Sequence, residues 1–241
     1  MKGIILSGGK GTRLLPLTAT TSKQLLPVYN RQMIFYPLNT LIKAGIKDIL
    51  IIVTPEHANS YATLLGTGEK FGVTISYSIQ VEPGGLPQAF TIGASFVGTD
   101  TVALILGDNI FEDDFTEDIR TFTKGARIFA TKVEDPSRFG VVEFDDTKKV
   151  LSIEEKPVAP KSSYAVTGLY LYDARVVAFA KELTPSKRGE LEIVDLHNRY
   201  LELQELDVRI FSGLWEDAGT FDSLLRVNVL AQERLHKNLS I

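Results

Sequence analysis

The chain has 241 residues, 44% hydrophobic and 23% charged, the usual balance of a globular protein with a sizeable core. Its formal net charge of -4 argues against wrapping around nucleic acid, which usually needs a basic excess. Disulfides, zinc–thiolate sites and cysteine nucleophiles are excluded because the chain has no cysteine. Since no signal peptide or long apolar run is recognisable, we expect one cytoplasmic domain without a membrane partner.

Strand and helix patterns alternate in the first half of the chain. The predicted strands are 2–7, 49–53, 73–79 and 102–106, and the predicted helices are 33–44, 58–65 and 87–96. This order predicts a mostly parallel sheet with helices on both faces. Ligands bind beyond the carboxyl ends of such strands, so the glycine-rich segment after Ser7 and the Gly107-Asp108-Asn109 segment are expected to share a site.

The second half of the chain is richer in short strands. The predicted strands are 128–133, 141–144, 150–153, 166–172 and 208–211, and the predicted helices are 175–182, 191–203 and 220–237. The fold class predicted from both halves is α/β, with a mixed but mostly parallel central sheet.

A glycine loop at 7–14 follows the first predicted strand. Its glycines allow backbone amides to approach an anion, and Arg13 adds a rigid fork of donors for phosphate oxygens. The loop lacks the Walker A spacing, and Leu14 occupies the third glycine position of a dinucleotide loop. The glycines alone are equally consistent with a tight turn, but Arg13 and the nearby Lys23-Gln24 favour phosphate binding.

Ten short segments carry a resemblance to a known family. They are 8–14, 16–18, 22–27, 84–86, 88–90, 107–111, 154–157, 166–170, 188–192 and 215–220, and the single residue Gln80 adds to them. Together they resemble the glucose-1-phosphate thymidylyltransferases, a family of sugar-1-phosphate nucleotidyltransferases, over most of the chain. The Lys-Gln-Leu-Leu-Pro run at 23–27 is the most diagnostic, because uridylyl relatives typically carry Lys-Glu there.

The resemblance implies a Rossmann-like fold and a specific reaction. It implies transfer of a thymidylyl group from dTTP to α-D-glucose 1-phosphate, giving dTDP-glucose and pyrophosphate with Mg²⁺, as a first step toward dTDP-rhamnose and related deoxysugars. It further implies one nucleotidyltransferase domain over 1–241, with a nucleotide-binding part at about 1–125 and a sugar-phosphate part at about 126–241. A homo-oligomer, either a dimer or a tetramer, is also expected.

Site residues follow from the same resemblance. Nucleotide binding is expected at Leu6, Gly8, Gly9, Gly11, Thr12, Arg13, Gln24, Gln80, Pro83, Gly85 and Asp108, with Gln24, Gln80 and Gly85 at the thymine base. Sugar-phosphate binding is expected at Asn109, Gly140, Glu155, Lys156, Val166, Arg188 and Glu190. The expected metal ligands are Asp108 and Asp217, and the expected catalytic residues are Arg13, Lys23, Asp108, Lys156 and Asp217.

Simpler interpretations exist for several of these residues. Asp108 could merely turn the chain at a strand end, and Lys156 and Arg188 could be solvated surface cations. Glu190 could be a first-turn acid that interacts with a helix dipole. The reaction nevertheless needs these residue types, because two phosphates brought together in a cleft repel each other unless cations surround them.

Three alternatives to the thymidylyltransferase reaction stay open. UTP or another sugar 1-phosphate could serve, since thymine and uracil differ by one methyl group worth about 0.8 kcal/mol when buried. A non-catalytic nucleotide-sensing paralogue and a glycosyltransferase are the others. Pro87 replaces the usual alanine, with an uncertain effect on nucleotide choice. Since the chain ends sooner than many family members, we expect their regulatory site to be absent or altered.

Overall fold

The computed structural model describes residues 1–236, and these fall into two compact units. The first-strand unit consists of Gly3–Pro83, Ile105–Glu117 and the segment from Gly213 onward. The second unit consists of Met1–Lys2, Gly84–Leu104 and Asp118–Ser212. Each unit is therefore assembled from separate stretches of chain, while the expected division near residue 125 remains a prediction.

Thirteen strands and eight helices are described in residues 1–236. The strands are β1 Lys2–Ser7, β2 Pro27–Val28, β3 Arg31–Gln32, β4 Asp48–Val53, β5 Thr74–Ile79, β6 Val102–Leu106, β7 Asn109–Phe111, β8 Ala126–Lys132, β9 Gly140–Phe144, β10 Val150–Glu155, β11 Tyr164–Tyr172, β12 Leu206–Ile210 and β13 Trp215–Asp217. The helices are α1 Phe35–Lys43, α2 Ala58–Leu65, α3 Gln88–Ile92, α4 Ala94–Val97, α5 Thr116–Thr121, α6 Val176–Glu182, α7 Ile193–Glu202 and α8 Phe221–His236.

Parallel strands organise the first-strand unit. β1 pairs with β4 and β4 pairs with β5, both in parallel, as the alternating pattern predicts. β1 and β4 are nearly continuous apolar runs because a parallel sheet is covered on both faces, whereas β5 alternates polar and apolar residues. A buried cluster joins the glycine loop to α1 and α8, and its members are Leu14, Leu26, Val28, Met33, Tyr36, Ile110, Ala218, Leu224, Val227 and Ala231. Each fully buried leucine or isoleucine contributes about 1.5–3 kcal/mol.

Antiparallel pairing dominates the second unit. β11 pairs with both β8 and β9, and β9 pairs with β10, all antiparallel, whereas β12 is parallel to β8. Short connections between the predicted strands of the second half are consistent with this pairing. The helix predicted at 87–96 is two short helices, because α3 ends at Gly93 and α4 begins after it.

A buried charged group holds the second unit together. Asp173 accepts hydrogen bonds from the backbone N–H of Gly125 (2.8 Å), the Tyr200 hydroxyl (3.0 Å) and the Arg175 guanidinium (2.6 Å). Arg175 also pairs with Glu205. Burial alone would raise the pKa of Asp173, but these donors outweigh it and hold the pKa below its ordinary value of 3.8.

His197 belongs to the core of the second unit. Its ring is fully buried and lies 2.7 Å from the Tyr172 hydroxyl through Nε2. Burial lowers the pKa of His197 to about 3, so the imidazole is neutral near pH 7.

The closing helix predicted at 220–237 is α8. Its last predicted residue, Lys237, lies outside the described residues. The other predicted helices and strands of the second half are found with ends that shift by a few residues.

Candidate active site

The glycine loop leaves β1 where only small residues fit. A Cβ atom at Gly8 would lie 1.8 Å from Oε1 of Gln80, so glycine lets the Gln80 amide reach the loop backbone. Gly11 has a φ of 63°, which favours glycine, and its carbonyl accepts a hydrogen bond from the Thr18 hydroxyl (2.9 Å). The glycine loop and Gln80, both expected to bind nucleotide, are therefore adjacent in the fold.

Arg13 extends from this loop with a largely exposed side chain. Its Nη2 atom lies 3.8 Å from Oδ2 of Asp217. A Cβ atom at Gly219 would lie 2.5 Å from the same nitrogen, so glycine at 219 makes room for the guanidinium. Arg13 therefore keeps donors available for an anion while one side of its charge faces a carboxylate.

Lys23 and Asp108 form a buried ion pair in the first-strand unit. The other oxygen of Asp108, Oδ1, accepts a hydrogen bond from Nδ2 of Asn109 (3.1 Å). Burial alone would raise the pKa of Asp108, but the Lys23 ammonium and the Asn109 amide hold it below the ordinary value. Asp108 is consequently a carboxylate near pH 7.

The strand pair β7–β13 brings the second acid to the first. Asp217 is the register partner of Asn109, and the backbone N–H of Ala218 donates to the Asp108 carbonyl (2.9 Å). Trp215 fixes the same pair of strands, because its indole Nε1 donates to Oδ1 of Asn109 (2.6 Å). Two acids that are 109 positions apart in sequence thus become neighbours.

Asp217 sits in surroundings that disfavour a negative charge. Burial and the charge of Asp108 raise its pKa to about 6. Its Oδ1 atom is buried and has no hydrogen-bond partner among the described residues. A buried carboxylate oxygen without a partner is costly, and a cation supplied with a ligand would relieve that cost.

These two acids fit a divalent metal ion whose remaining ligands come from a substrate. Residues 1–236 contain no cluster of three or more His, Cys, Asp or Glu side chains that could hold a metal by itself. Mg²⁺ characteristically binds to one or two carboxylates and completes its shell with phosphate oxygens and water. Asp108 and Asp217, with the orphaned oxygen, match that ligand set.

Gln24 is a buried polar residue that packs against Gly107, the residue before Asp108. Its side chain is only 3% exposed, and its Oε1 accepts a hydrogen bond from the Ser22 hydroxyl (2.7 Å). The Tyr61 hydroxyl lies 2.8 Å from the Ser22 hydroxyl and 3.4 Å from the same Oε1. Burial raises the pKa of Tyr61 to about 12, so this hydroxyl keeps its proton.

The remaining residues expected to bind nucleotide are divided between the two units. Leu6 is buried near the end of β1, Gly9 and Thr12 are exposed on the loop, and Pro83 is half-buried at the end of a segment of the first-strand unit. Gly85 belongs to the second unit, where its φ of 109° and its bridge to Leu191 require glycine. A base-binding role for Gly85 remains a prediction.

Neighbouring strands of the second unit assemble three residues expected to bind sugar phosphate. Gly140 is the register partner of Glu155 on β10 and of Val166 on β11. A Cβ atom at Gly140 would lie at ordinary contact distance, 3.5 Å, from Oε2 of Glu155, so Gly140 lies directly beside this carboxylate. A hydroxylated ligand could reach the Glu155 carboxylate there.

Two cations flank Glu155. Lys156 has a φ of 44°, uncommon for a residue with a side chain, and its Nζ lies 3.3 Å from Oε1 of Glu155. Nη2 of Arg188 lies 3.4 Å from the same oxygen, and its Nε donates to Glu192 (3.0 Å). Both cations are about half-exposed and can bind an anion.

The last two residues expected to bind sugar phosphate, Glu190 and Asn109, lie apart from the group around Glu155. Glu190 is exposed next to the Leu191 bridge, near Arg188. Asn109 belongs to the first-strand unit, where its amide connects Asp108 and Trp215. Their expected sugar-phosphate roles therefore remain predictions.

Sequence reasoning missed three residues that position others. Glu192 holds Arg188 and itself accepts a hydrogen bond from the Ser186 hydroxyl (2.6 Å). Glu192 and Arg188 both precede α7, so the spacing rule for helical pairs gave no signal for this contact. Ser22 precedes Lys23-Gln24 directly, but nothing in the sequence pattern connects Tyr61 to them.

Within residues 1–236, the helices are all too short or too polar to cross a membrane.

Comparisons with known proteins agree with the expected family. The family model described as nucleotidyl transferase matches residues 2–234. Glucose-1-phosphate thymidylyltransferase of Neisseria meningitidis serogroup A is 56% identical over 230 residues, which is 93% of this chain and 80% of the relative. The enzyme of that name from Mycobacterium tuberculosis is 52% identical over the same shares of both chains.

Solved structures agree on the fold. A Bacillus anthracis protein crystallised with sucrose and assigned as a glucose-1-phosphate thymidylyltransferase has a TM-score of 0.91 at 48% identity, covering 96% of this chain and 95% of its own. UDP-glucose pyrophosphorylase in complex with UDP-glucose has a TM-score of 0.84 at 21% identity, over 97% and 98% of the two chains. The second likeness supports the fold alone. The mixed α/β fold class is confirmed, and the chain belongs to the nucleotidyl transferase family, among its glucose-1-phosphate thymidylyltransferases.

Proposed function

We propose that the chain transfers a thymidylyl group from dTTP to α-D-glucose 1-phosphate with Mg²⁺, releasing pyrophosphate and forming dTDP-glucose. The observation that carries the proposal is the cluster of Lys23, Asp108 and Asp217 beside a glycine loop, in which the buried Oδ1 of Asp217 has no partner among the described residues. The shared name of relatives at 52–56% identity supplies the substrates.

The reaction exchanges one phosphoanhydride bond for another. A phosphate oxygen of glucose 1-phosphate attacks the α-phosphorus of dTTP, and the bond from that phosphorus to the bridging oxygen of the β-phosphate breaks. The electron pair leaves with pyrophosphate. The attacking phosphate monoester has a second pKa of about 6, so it is mostly ionised near pH 7 and needs no general base.

Catalysis then consists of positioning and charge stabilisation. Arg13 and Lys23 neutralise the charge that grows on the departing pyrophosphate, and Lys156 and Arg188 hold the acceptor phosphate. The reaction requires both sets of residues to act on one pair of substrates.

Asp108 and Asp217 would hold Mg²⁺. When bound, the ion would supply Lewis-acid stabilisation of phosphate oxygens. Asp108 is ready for this role as a carboxylate paired with Lys23, and Asp217 gains a partner for Oδ1. The raised pKa of Asp217 indicates that the protein alone does not satisfy this acid.

Two other functions are less well supported. A nucleotide-sensing paralogue has no need of Arg13, Lys23, Asp108, Lys156 and Asp217 together, yet all five are present. A glycosyltransferase would not need Arg13 and Lys23 for a pyrophosphate leaving group. UTP stays open as a second substrate. Its base lacks one methyl group of thymine, which changes affinity only several-fold when buried, and its ribose adds a 2′-hydroxyl group.

The decisive experiment measures pyrophosphate release from dTTP and from UTP, with and without glucose 1-phosphate, in Mg²⁺ or in EDTA. We expect release only when triphosphate, sugar phosphate and metal are all present, with dTTP preferred. Pyrophosphate release that is the same with and without glucose 1-phosphate would indicate a hydrolase. No release under any condition would refute the proposed activity. Parallel arms with galactose 1-phosphate and glucosamine 1-phosphate define the acceptor.

Assembly, location and pathway also remain proposals. We propose a cytoplasmic dimer or tetramer that supplies dTDP-glucose for dTDP-rhamnose and related deoxysugars. Native mass spectrometry at micromolar concentration tests the assembly, and a monomer would contradict it.

A further inference from the structure

The hydrogen bonds around Gln24 are one-sided. Oε1 faces two hydroxyl groups, those of Ser22 and Tyr61. By contrast, no group in residues 1–236 accepts a hydrogen bond from Nε2 of Gln24. A primary amide has two donors on nitrogen, and Nε2 of Gln24 is not one of the fully buried atoms without a partner, so both donors can reach solvent or a ligand.

All three side chains are nearly closed off from solvent. Ser22 is 5% exposed, Tyr61 is fully buried and Gln24 is 3% exposed. In such surroundings a hydrogen bond is strong. If the amide turned over, its nitrogen would take the place of Oε1 opposite the two hydroxyl groups. The two hydroxyls can donate to an oxygen, and the proton on Tyr61 is firmly held.

Close packing prevents Gln24 from moving away. A Cβ atom at Gly107 would lie 2.8 Å from Cγ of Gln24, so the backbone after β6 lies directly against the stem of the side chain. The amide can therefore rotate about its last bond but has little room to shift. Its orientation depends on the hydrogen bonds at Oε1.

We propose that Ser22 and Tyr61 are positioning residues that lock the Gln24 amide with its nitrogen as the outward donor, so that the site favours a base with a carbonyl oxygen. This inference rests on the proposed function, which makes Gln24 a contact to thymine. A pyrimidine with two carbonyl groups offers acceptors to such a donor. Neither Ser22 nor Tyr61 needs to touch the nucleotide.

A double-mutant cycle on the full chain tests this coupling. The variants are Tyr61→Phe, Ser22→Ala, Gln24→Ala and the two combinations with Gln24→Ala, assayed for kcat and for the KM of each substrate. We expect Tyr61→Phe to raise the KM for dTTP about fivefold, with kcat and the KM for glucose 1-phosphate changed less than twofold. In the Gln24→Ala background it should have no further effect.

Controls separate positioning from general damage. Tyr36→Phe is the matched control, because Tyr36 is a buried tyrosine of the same unit whose hydroxyl donates to the Val28 carbonyl (3.1 Å) instead. Ser22→Thr keeps a hydroxyl and should restore most of what Ser22→Ala loses. If Tyr61→Phe unfolds, as judged by circular dichroism, Ser22→Ala removes only one oxygen and carries the test alone.

The outcomes distinguish the inference from the function. If wild-type enzyme releases pyrophosphate from dTTP but the KM effects of Tyr61→Phe and Gln24→Ala simply multiply, the positioning role is wrong. A fall in kcat at constant KM would also overturn it. If the wild type shows no reaction, the proposed function fails first.

Discussion

The two units use buried charge in opposite ways. In the second unit, the carboxylate of Asp173 is saturated by donors from Gly125, Arg175 and Tyr200. In the first-strand unit, Asp108 is paired with Lys23, but Asp217 keeps one buried oxygen without a partner among the described residues.

This difference identifies which buried acid is structural and which is functional. A saturated acid stabilises the fold and gains nothing from a ligand, whereas an unsatisfied acid stores a cost that binding can recover. Both Asp108 and Asp173 have lowered pKa values, so the pKa direction alone does not distinguish them. The neighbouring acid distinguishes them, because Asp108 lies beside Asp217, whose Oδ1 has no partner among the described residues.

Asp108→Asn should give the largest effect. It removes a negative charge from the proposed metal site and leaves Lys23 without its buried partner. We expect kcat for pyrophosphate release to fall about 1000-fold, with the protein still folded. Asp222→Asn, at an exposed acid of α8, is the matched control and should retain activity. Near-normal turnover of Asp108→Asn would contradict the metal assignment.

Asp173→Asn should weaken the fold and spare the chemistry. Removing one partner of this buried group should lower the free energy of unfolding by about 3 kcal/mol at pH 7. Because the folded pKa of Asp173 is lowered, its stabilisation is fully present above the ordinary value of 3.8 and is lost as pH falls through the folded value.

Urea unfolding between pH 6 and pH 2.5 measures this effect. The wild type should lose the Asp173 contribution on acidification, while Asp173→Asn shows a flatter profile. The kcat at pH 7 should stay within twofold of wild type. A loss of activity in the folded variant would place Asp173 among the functional acids and break the comparison.

Arg188→Ala should affect only the acceptor. Charge-assisted hydrogen bonds to phosphate are worth about 1.5–3 kcal/mol, so the KM for glucose 1-phosphate should rise about 10–100-fold. The KM for dTTP should stay unchanged. Lys187→Ala, at the exposed neighbouring lysine, is the control. An equal rise in the KM for both substrates would show that Arg188 is not specific to the acceptor.

Trp215→Phe should give the smallest effect. The change removes the indole donor to Asn109, whose amide in turn holds Asp108. Loss of one such hydrogen bond is worth about 1 kcal/mol, so kcat should drop about fivefold with a higher Mg²⁺ requirement. A Mg²⁺ titration of initial rates checks this, and an unchanged titration would separate Trp215 from the acids.

The sequence predicted several elements of the first half of the chain well. β1, α2 and β6 begin and end where the apolar runs and glycines place them. These elements are specified by local pattern, namely buried runs stopped by turn residues. The glycine loop was predictable for the same reason.

The pairing of distant segments was not predictable in the same way. The strands β7 and β13 have three residues each, too short for a pattern, and they join Asn109 to Asp217 through register alone. Likewise the contact of Tyr61 with Gln24 depends on how α2 packs. The family resemblance predicted the role of Asp217, whereas the contact of Tyr61 with Gln24 is visible only in the structure.

The β7–β13 pairing also bears on how the molecule reaches its active state. The hydrogen bond between Trp215 and Asn109 spans 106 positions, and closing so long a loop carries a large entropic cost before any contact rewards it. A ribosome-bound chain that stops before residue 215 cannot assemble the acid pair, however well its earlier strands have collapsed. Catalytic competence is therefore acquired only after Asp217 itself has left the ribosome.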